Sequence, residues 1–214
     1  MRKIALLTFA LLFSLHNMYC QDFSWGKSGG NTGNEYARSI FVDGAGSVYT
    51  VGSFSGTVDF DPGSGVSNLT AVGSTDAYIQ KLNSAGAFVF ARRFGGAGDA
   101  VAYGVTVDPN NFIYITGSFT GNMDSDPNAG TSLLTSAGGT DIFLIRLSAS
   151  AVWSYSTRFG STGDDVGLSV CANAGAFALT GTITGVVDFD PGAGVANIGI
   201  INLTQGFIAR YVPG

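Results

Sequence analysis

An ordered set of markers spread over residues 93–147 recurs about 65 residues earlier and about 64 residues later, which restricts the chain to an array of like units. The markers are Arg93-Phe94-Gly95-Gly96, Gly98-Asp99, Val107-Asp108, Tyr114-Ile115-Thr116-Gly117-Ser118-Phe119, Asp124-Ser125-Asp126-Pro127 and Asp141-Ile142-Phe143-Leu144-Ile145-Arg146-Leu147. Upstream they return as Gly29-Gly30, Gly33-Asn34-Glu35, Val42-Asp43, Tyr49-Thr50-Val51-Gly52-Ser53-Phe54, Asp59-Phe60-Asp61-Pro62 and residues 76–82. Downstream they return as Arg158-Phe159-Gly160, Gly163-Asp164, Ala178-Leu179-Thr180-Gly181, Asp188-Phe189-Asp190-Pro191 and residues 205–211. Self-similar units of this length bury their apolar faces only against their neighbours. Three units follow one another without a linker, over residues 22–86, 87–151 and 152–214.

Residues 88–94, 102–108, 112–119 and 141–147 of the second unit read as strands. Between them lie glycine turns, a Pro109-Asn110-Asn111 turn and a long connection holding the Asp-x-Asp-Pro motif. Composition points the same way. All but one of the 15 acidic residues are Asp, the exception being Glu35, and 32 residues are Gly. Asp and Gly suit turns, whereas Glu, the acid that suits helices, is nearly absent. The expected fold is therefore all-β, a β-propeller-like array of three four-stranded antiparallel units. In the fourth strand an aromatic recurs as Tyr78, Phe143 and Phe207, and a base three places later as Lys81, Arg146 and Arg210. Strand residues three apart face opposite ways, so the aromatic is expected in a core between sheets and the base at a solubilising edge.

The chain opens with Arg2 and Lys3 and an uncharged apolar run over residues 4–15, the pattern of a secretory signal. Residues 1–21 are read as that signal, and the protein as secreted or held at the outer cell surface. The run is too short to span a bilayer, and no other stretch is a candidate span. Without residues 1–21 the chain has eight basic and 15 acidic residues, so no basic footprint for nucleic acid remains. The only histidine, His16, leaves with the signal, which excludes histidine-based nucleophilic triads and histidine-ligated zinc from one mature chain. Cys171 is then a single thiol, expected to be buried and inert.

In their order, Arg-Phe-Gly-Gly-x-Gly-Asp, Val-x-Val-Asp, Tyr-x-Thr-Gly-Ser-Phe, Asp-x-Asp-Pro and Asp-x-Phe before a base and Leu resemble the SBBP-type beta-propeller repeat of bacterial secreted and cell-surface proteins. The likeness runs over residues 22–214. It implies an extracellular repeat protein that binds or builds, with a glycan or another protein as partner, and it implies no shared catalysis. There are departures. Three units fall short of the four to eight blades of closed propellers, so the outer faces are covered by a tight three-unit closure with residues 205–211 pairing near residues 23–28, by association of two chains into a homo-oligomeric six-unit ring, or by a longer array. Self-association or an open arc is favoured, since three sheets would have to splay widely to close. The third unit also carries Ala172 where Asp43 and Asp108 stand, and Gln205 where Asp76 and Asp141 stand.

The candidate site residues are the carboxylate pairs Asp59/Asp61, Asp124/Asp126 and Asp188/Asp190. Residues i and i+2 of an extended segment project to one side, so each pair offers hard oxygens for calcium, the one cofactor the sequence suggests. Calcium needs six to eight oxygens, whereas capping of the turn at Pro62, Pro127 or Pro191 by the second Asp of each pair needs nothing further. Glu35, Asp99, Asp164 and Asp165 lie in glycine-rich connections, and a propeller-type carbohydrate-active enzyme working through paired acids is the alternative function. Recurrence of the acids in every unit favours the non-catalytic reading, because a catalytic site is built once.

Overall fold

A computed structural model describes residues 22–30 and 33–212; the signal-like segment lies outside the described residues. The described chain contains strands, turns and bends and no helix, so no helix is long and apolar enough to cross a membrane. In chain order the strands are β1 (Glu35–Val42), β2 (Val48–Phe54), β3 (Thr57–Asp59), β4 (Asn68–Thr70), β5 (Asp76–Leu82), β6 (Phe88–Phe94), β7 (Ala100–Val107), β8 (Ile113–Phe119), β9 (Asn122–Asp124), β10 (Leu133–Thr135), β11 (Asp141–Leu147), β12 (Trp153–Phe159), β13 (Val166–Asn173), β14 (Ala176–Asp188) and β15 (Asn197–Tyr211).

The first sheet has the order β1-β2-β5-β6 and the second the mirror listing β12-β11-β8-β7, so both are four-stranded antiparallel meanders. The third, β13-β14-β15, has three strands among the described residues, one fewer than expected for a repeat. Hairpins β3-β4 and β9-β10 branch from the middle of the first two sheets. In the third sheet the corresponding hairpin is continuous with β14 and β15, whose pairing shifts register between Thr184 and Gly185.

The sheets cut across the sequence units. β6, at the start of the second unit, is hydrogen-bonded to β5 and completes the first sheet, and β12 completes the second in the same way. Tight turns enforce this. Asn83 Oδ1 accepts the N–H groups of Ala85 and Ala87 at 3.0 and 2.9 Å, and the chain reverses through Gly86 at φ 76°. A reversal this short leaves β6 no neighbour but β5.

Each sheet's first strand carries a β-bulge at the same repeat position, between Ala37 and Ser39, Ala102 and Gly104, and Gly167 and Ser169. Opposite stand Gly52, Gly117 and Gly181, the glycines of the Tyr-x-Thr-Gly-Ser-Phe motif. A Cβ there would sit 1.8, 2.0 and 1.9 Å from the carbonyl oxygens of Tyr36, Val101 and Val166. The motif's glycine is therefore a requirement of close backbone approach.

The sheets stack face to face. Between the first and second, Tyr49, Val51, Ala77 and Ile79 meet Ile113, Ile115, Phe143 and Ile145. Between the second and third, Tyr114, Ile142 and Leu144 meet Leu179, Phe207 and Ala209. The second sheet is buried on both faces, so β8 is buried at every position although it alternates like any strand. Phe143 and Phe207 are buried between sheets as expected, whereas Tyr78, also buried, packs on the outer face of the first sheet against Phe54 and Phe60 instead of in a core between sheets. The bases are not edge charges in the first two sheets. Lys81 lies 4.7 Å over the Tyr49 ring and Arg146 3.6 Å over the Phe112 ring, inside the sheet junctions; Arg210 is exposed. Cys171 is exposed, contrary to the buried thiol expected, because β13 presents it on the outer face of the last sheet.

Candidate functional site

The Asp-x-Asp-Pro segments form three copies of one turn. The Oδ1 atoms of Asp59, Asp124 and Asp188 each accept two backbone N–H groups: Asp61 and Ser67 at 3.0 and 2.8 Å, Asp126 and Ser132 at 3.0 and 3.0 Å, Asp190 and Ala196 at 3.0 and 2.8 Å. The second acids cap the bend after proline. Asp61, Asp126 and Asp190 accept from Gly63, Asn128 and Gly192 at 2.8, 2.9 and 2.7 Å. The N–H groups of Ser67 and Asp61 hold the Asp59 carboxyl below its ordinary range, and those of Ala196 and Asp190 do the same for Asp188. No three His, Cys, Asp or Glu side chains gather anywhere among the described residues. One oxygen of each acid is bonded to N–H groups, so a calcium shell of six to eight oxygens would have to draw on the other carboxylate oxygens, backbone carbonyls and water. Their geometry is that of a braced turn.

The acids of the glycine-rich connections tie neighbouring segments together. Asp99 accepts the Ser74 hydroxyl, and Asp164 accepts the Thr140 N–H at 3.0 Å. Asp165, fully buried, accepts the Ser161 and Thr184 N–H groups at 2.6 and 2.7 Å. Glu35 instead lines a surface groove.

Two carboxylates that sequence reasoning passed over as repeat markers hold the sheets' outer strands. Asp76 Oδ2 meets Arg93 Nη1 at 2.7 Å, and Asp141 Oδ2 meets Arg158 Nη1 at 2.5 Å; both carboxylates are completely buried. The N–H groups of Val72 and Ala137 add a bond at 2.9 Å each to the same Oδ2 atoms; Gly73 N–H reaches Asp76 Oδ1 at 3.3 Å, whereas Asp141 Oδ1 is buried without a hydrogen-bond partner among the described residues. A Cβ on Gly95 or Gly160 would lie 2.3 Å from the Asp76 or Asp141 Cγ. Asp, Arg and Gly of the repeat thus form one cluster, and the equal 17-residue separation of acid and base in both copies was the available signal. Burial pushes the Asp141 carboxyl up, against the pull of Arg158.

What the array leaves open are its two terminal faces. Val105 and Val107 of β7 are 6 % and 8 % exposed beneath the first sheet, whereas Ile40 and Val42, at the same repeat positions in β1, are 66 % and 56 % exposed. On that outer face Thr50 and Gln80 stand where the second sheet has Ile115 and Ile145. The result is an open groove of about 800 Å³ lined by Trp25, Glu35, Arg38, Thr50, Tyr78 and Gln80. Burial, then the Glu35 carboxylate, push the Tyr78 hydroxyl up to about 12, so it stays protonated. On the opposite end, Ile208 of β15 is 79 % exposed where its counterparts Ile79 and Leu144 are fully buried.

Comparison with known families agrees with this architecture. Residues 89–122, covering β7, β8 and nearly all of β6, match the family model described as SBBP, a beta-propeller repeat. The chain therefore contains an SBBP-type beta-propeller repeat. No curated protein matches the chain.

Proposed function

We propose that this beta-propeller repeat protein is exported and acts without catalysis, as a structural or binding module whose working surfaces are the outer faces of its first and third sheets. The observation that carries this reading is the contrast at matched repeat positions: side chains that are buried in the inner junctions stand exposed at both ends of the stack. Soluble proteins keep large apolar patches for contacts. The acids that recur from unit to unit support the absence of catalysis, since they brace turns or pair with arginine. Export rests on the basic and apolar opening of residues 1–21.

The test is a panel of polysaccharides incubated with the purified protein, with retention and reducing-end release scored together. No reducing ends are expected above the blank. Release that disappears when a single acid is changed would establish the carbohydrate-active alternative instead. Cell fractionation of the producing organism checks export, with the processed chain expected outside the cytoplasm.

A further inference from the structure

We infer that the partner of the two outer faces is a second copy of this chain, and that residues 23–30 of each copy supply the missing fourth strand of the other copy's third sheet. The inference rests on the reading of those faces as working surfaces, and it begins with a sequence identity of position. Phe23, Trp25, Gly30 and Gly33 precede Phe88, Phe90, Gly95 and Gly98 by 65 residues each, and those precede Trp153, Tyr155, Gly160 and Gly163 by the same interval. Aromatic-x-aromatic followed by Gly-x-x-Gly is thus the entry and exit of β6, of β12 and of this segment. The segment is a fourth strand in sequence, yet among the described residues it is not part of any sheet and touches a strand by a backbone bond only at Gly30.

Its exit is already set in that geometry. Gly30 N–H donates to the Asp59 carbonyl at 3.3 Å, the counterpart of the bond from Gly95 N–H to the Asp124 carbonyl at 3.2 Å. β6 reaches the second sheet through that bond as the last strand of the sheet before it. By the same path, residues 23–30 reach the first sheet from the last strand of a sheet that would stand before it. Meanwhile they lie over the groove, where Trp25 Nε1 donates to the Ser84 carbonyl at 3.0 Å.

The sheet that lacks this strand is the third. Its edge strand β15 corresponds to β5 and β11, which carry β6 and β12. The decisive point is a paired replacement. In β5-β6 and β11-β12 the buried acid and its arginine are Asp76 with Arg93 and Asp141 with Arg158. At the corresponding positions β15 has Gln205 and the segment has Ser28. Both members of the ion pair have become neutral together, so joining them leaves no unpaired buried charge; keeping either alone would. Ser28 and Gln205 are about as far apart in sequence as the chain allows, and a shared strand pairing accounts for their joint change.

Placing that strand sets the third sheet of one copy in front of the first sheet of the other. Ile208 then faces Ile40 and Val42, a junction built like the two inside each chain. Two copies do this reciprocally and close a ring of six sheets, within the four to eight of closed propellers.

Light scattering on protein produced from the full-length chain is expected to give twice the chain mass. Ile208→Lys, at a site already exposed in the single chain, is expected to leave the circular dichroism unchanged and weaken the dimer about tenfold or more. Gln205→Asp and Ser28→Arg chains, each weakened alone, are expected to form the mixed dimer in preference to either homodimer, since one of its junctions regains the ion pair and the other is wild type. A single-chain mass at roughly tens of micromolar, a mass above two chains, an Ile208→Lys dimer as tight as wild type, or random mixing of the two variants overturns the proposal. Each of those results leaves the polysaccharide assay unaffected, so the two readings fail separately.

Discussion

Asp141 shows what a single residue does in this fold. Its carboxylate is fully buried at the foot of β11 and touches one base, Arg158, whose own side chain is a third exposed. Arg158→Ala therefore leaves a buried charge without its partner, and a loss of about 3 kcal/mol is expected in urea unfolding. Adding Asp141→Asn removes that charge and is expected to recover part of the loss; no recovery would mean the arginine matters through its packing instead. The turn acids behave oppositely with pH. Asp59 and Asp188 have folded pKa values below the ordinary 3.8, so their contribution is complete above that value and is lost as pH falls through the lowered folded value. The melting temperature is expected to fall with acidification below about pH 4, and Asp59→Asn, which keeps an acceptor oxygen but cannot titrate, is expected to flatten that fall. An unchanged acid limb in the variant would assign the loss to other carboxylates.

At the scale of the element, the Tyr-x-Thr-Gly-Ser-Phe strand combines two demands. Its alternating side chains fill two cores at once, Ile113 and Ile115 toward the first sheet, Tyr114 toward the third. Its glycine lets the bulged first strand approach, with the Val101 carbonyl 2.0 Å from where a Cβ would be and the Phe143 ring 2.7 Å from it. Gly117→Ala must displace backbone as well as a ring, and a loss of about 2–3 kcal/mol is expected in the same unfolding assay. Because the glycine sits in the middle of the most buried strand, a neutral outcome would show that the bulge is free to shift. The hairpin at residues 83–86 explains a different feature of the elements. By turning β6 back onto β5, it makes the sheet frame one strand out of step with the sequence units.

For the whole molecule, the same offset leaves, among the described residues, a strand-like segment outside any sheet before β1 and three strands in the sheet that ends on β15. Residues 23–30 and the edge of β15 stand at the two ends. If two copies exchange them, folding and association are coupled, and the melting temperature is expected to rise with protein concentration. Ile208→Lys is expected to lower the transition at each concentration, so that about tenfold more protein is needed to reach the wild-type value. A wild-type transition that ignores concentration over a hundredfold range, roughly, would speak against the ring.

Much of this was legible without coordinates, for a physical reason. Strand and turn preferences are local, so the Asp-Gly-Pro punctuation and the repeated order of motifs determined an all-β array and its strands, and offered turn capping by Asp61, Asp126 and Asp190 beside calcium; the bracing of the loops by Asp59, Asp124 and Asp188 came only from the structure. The family resemblance also rests on local motifs, and it covers in the family match the strands around β7 and β8. Pairing is not local. Which strand closes which sheet depended on the tight turns, so only the tertiary structure assigned β6 to the first sheet and left the third one short. Burial depends on neighbours as well. Lys81 and Arg146 read as edge charges until the rings of Tyr49 and Phe112 were found beneath them, and Cys171 read as buried until its sheet was found to be the last in the stack. The sequence determined the repeating unit because every unit obeys the same local chemistry; the ends of the array were decided only by the packing, because an end is defined by the neighbour it lacks.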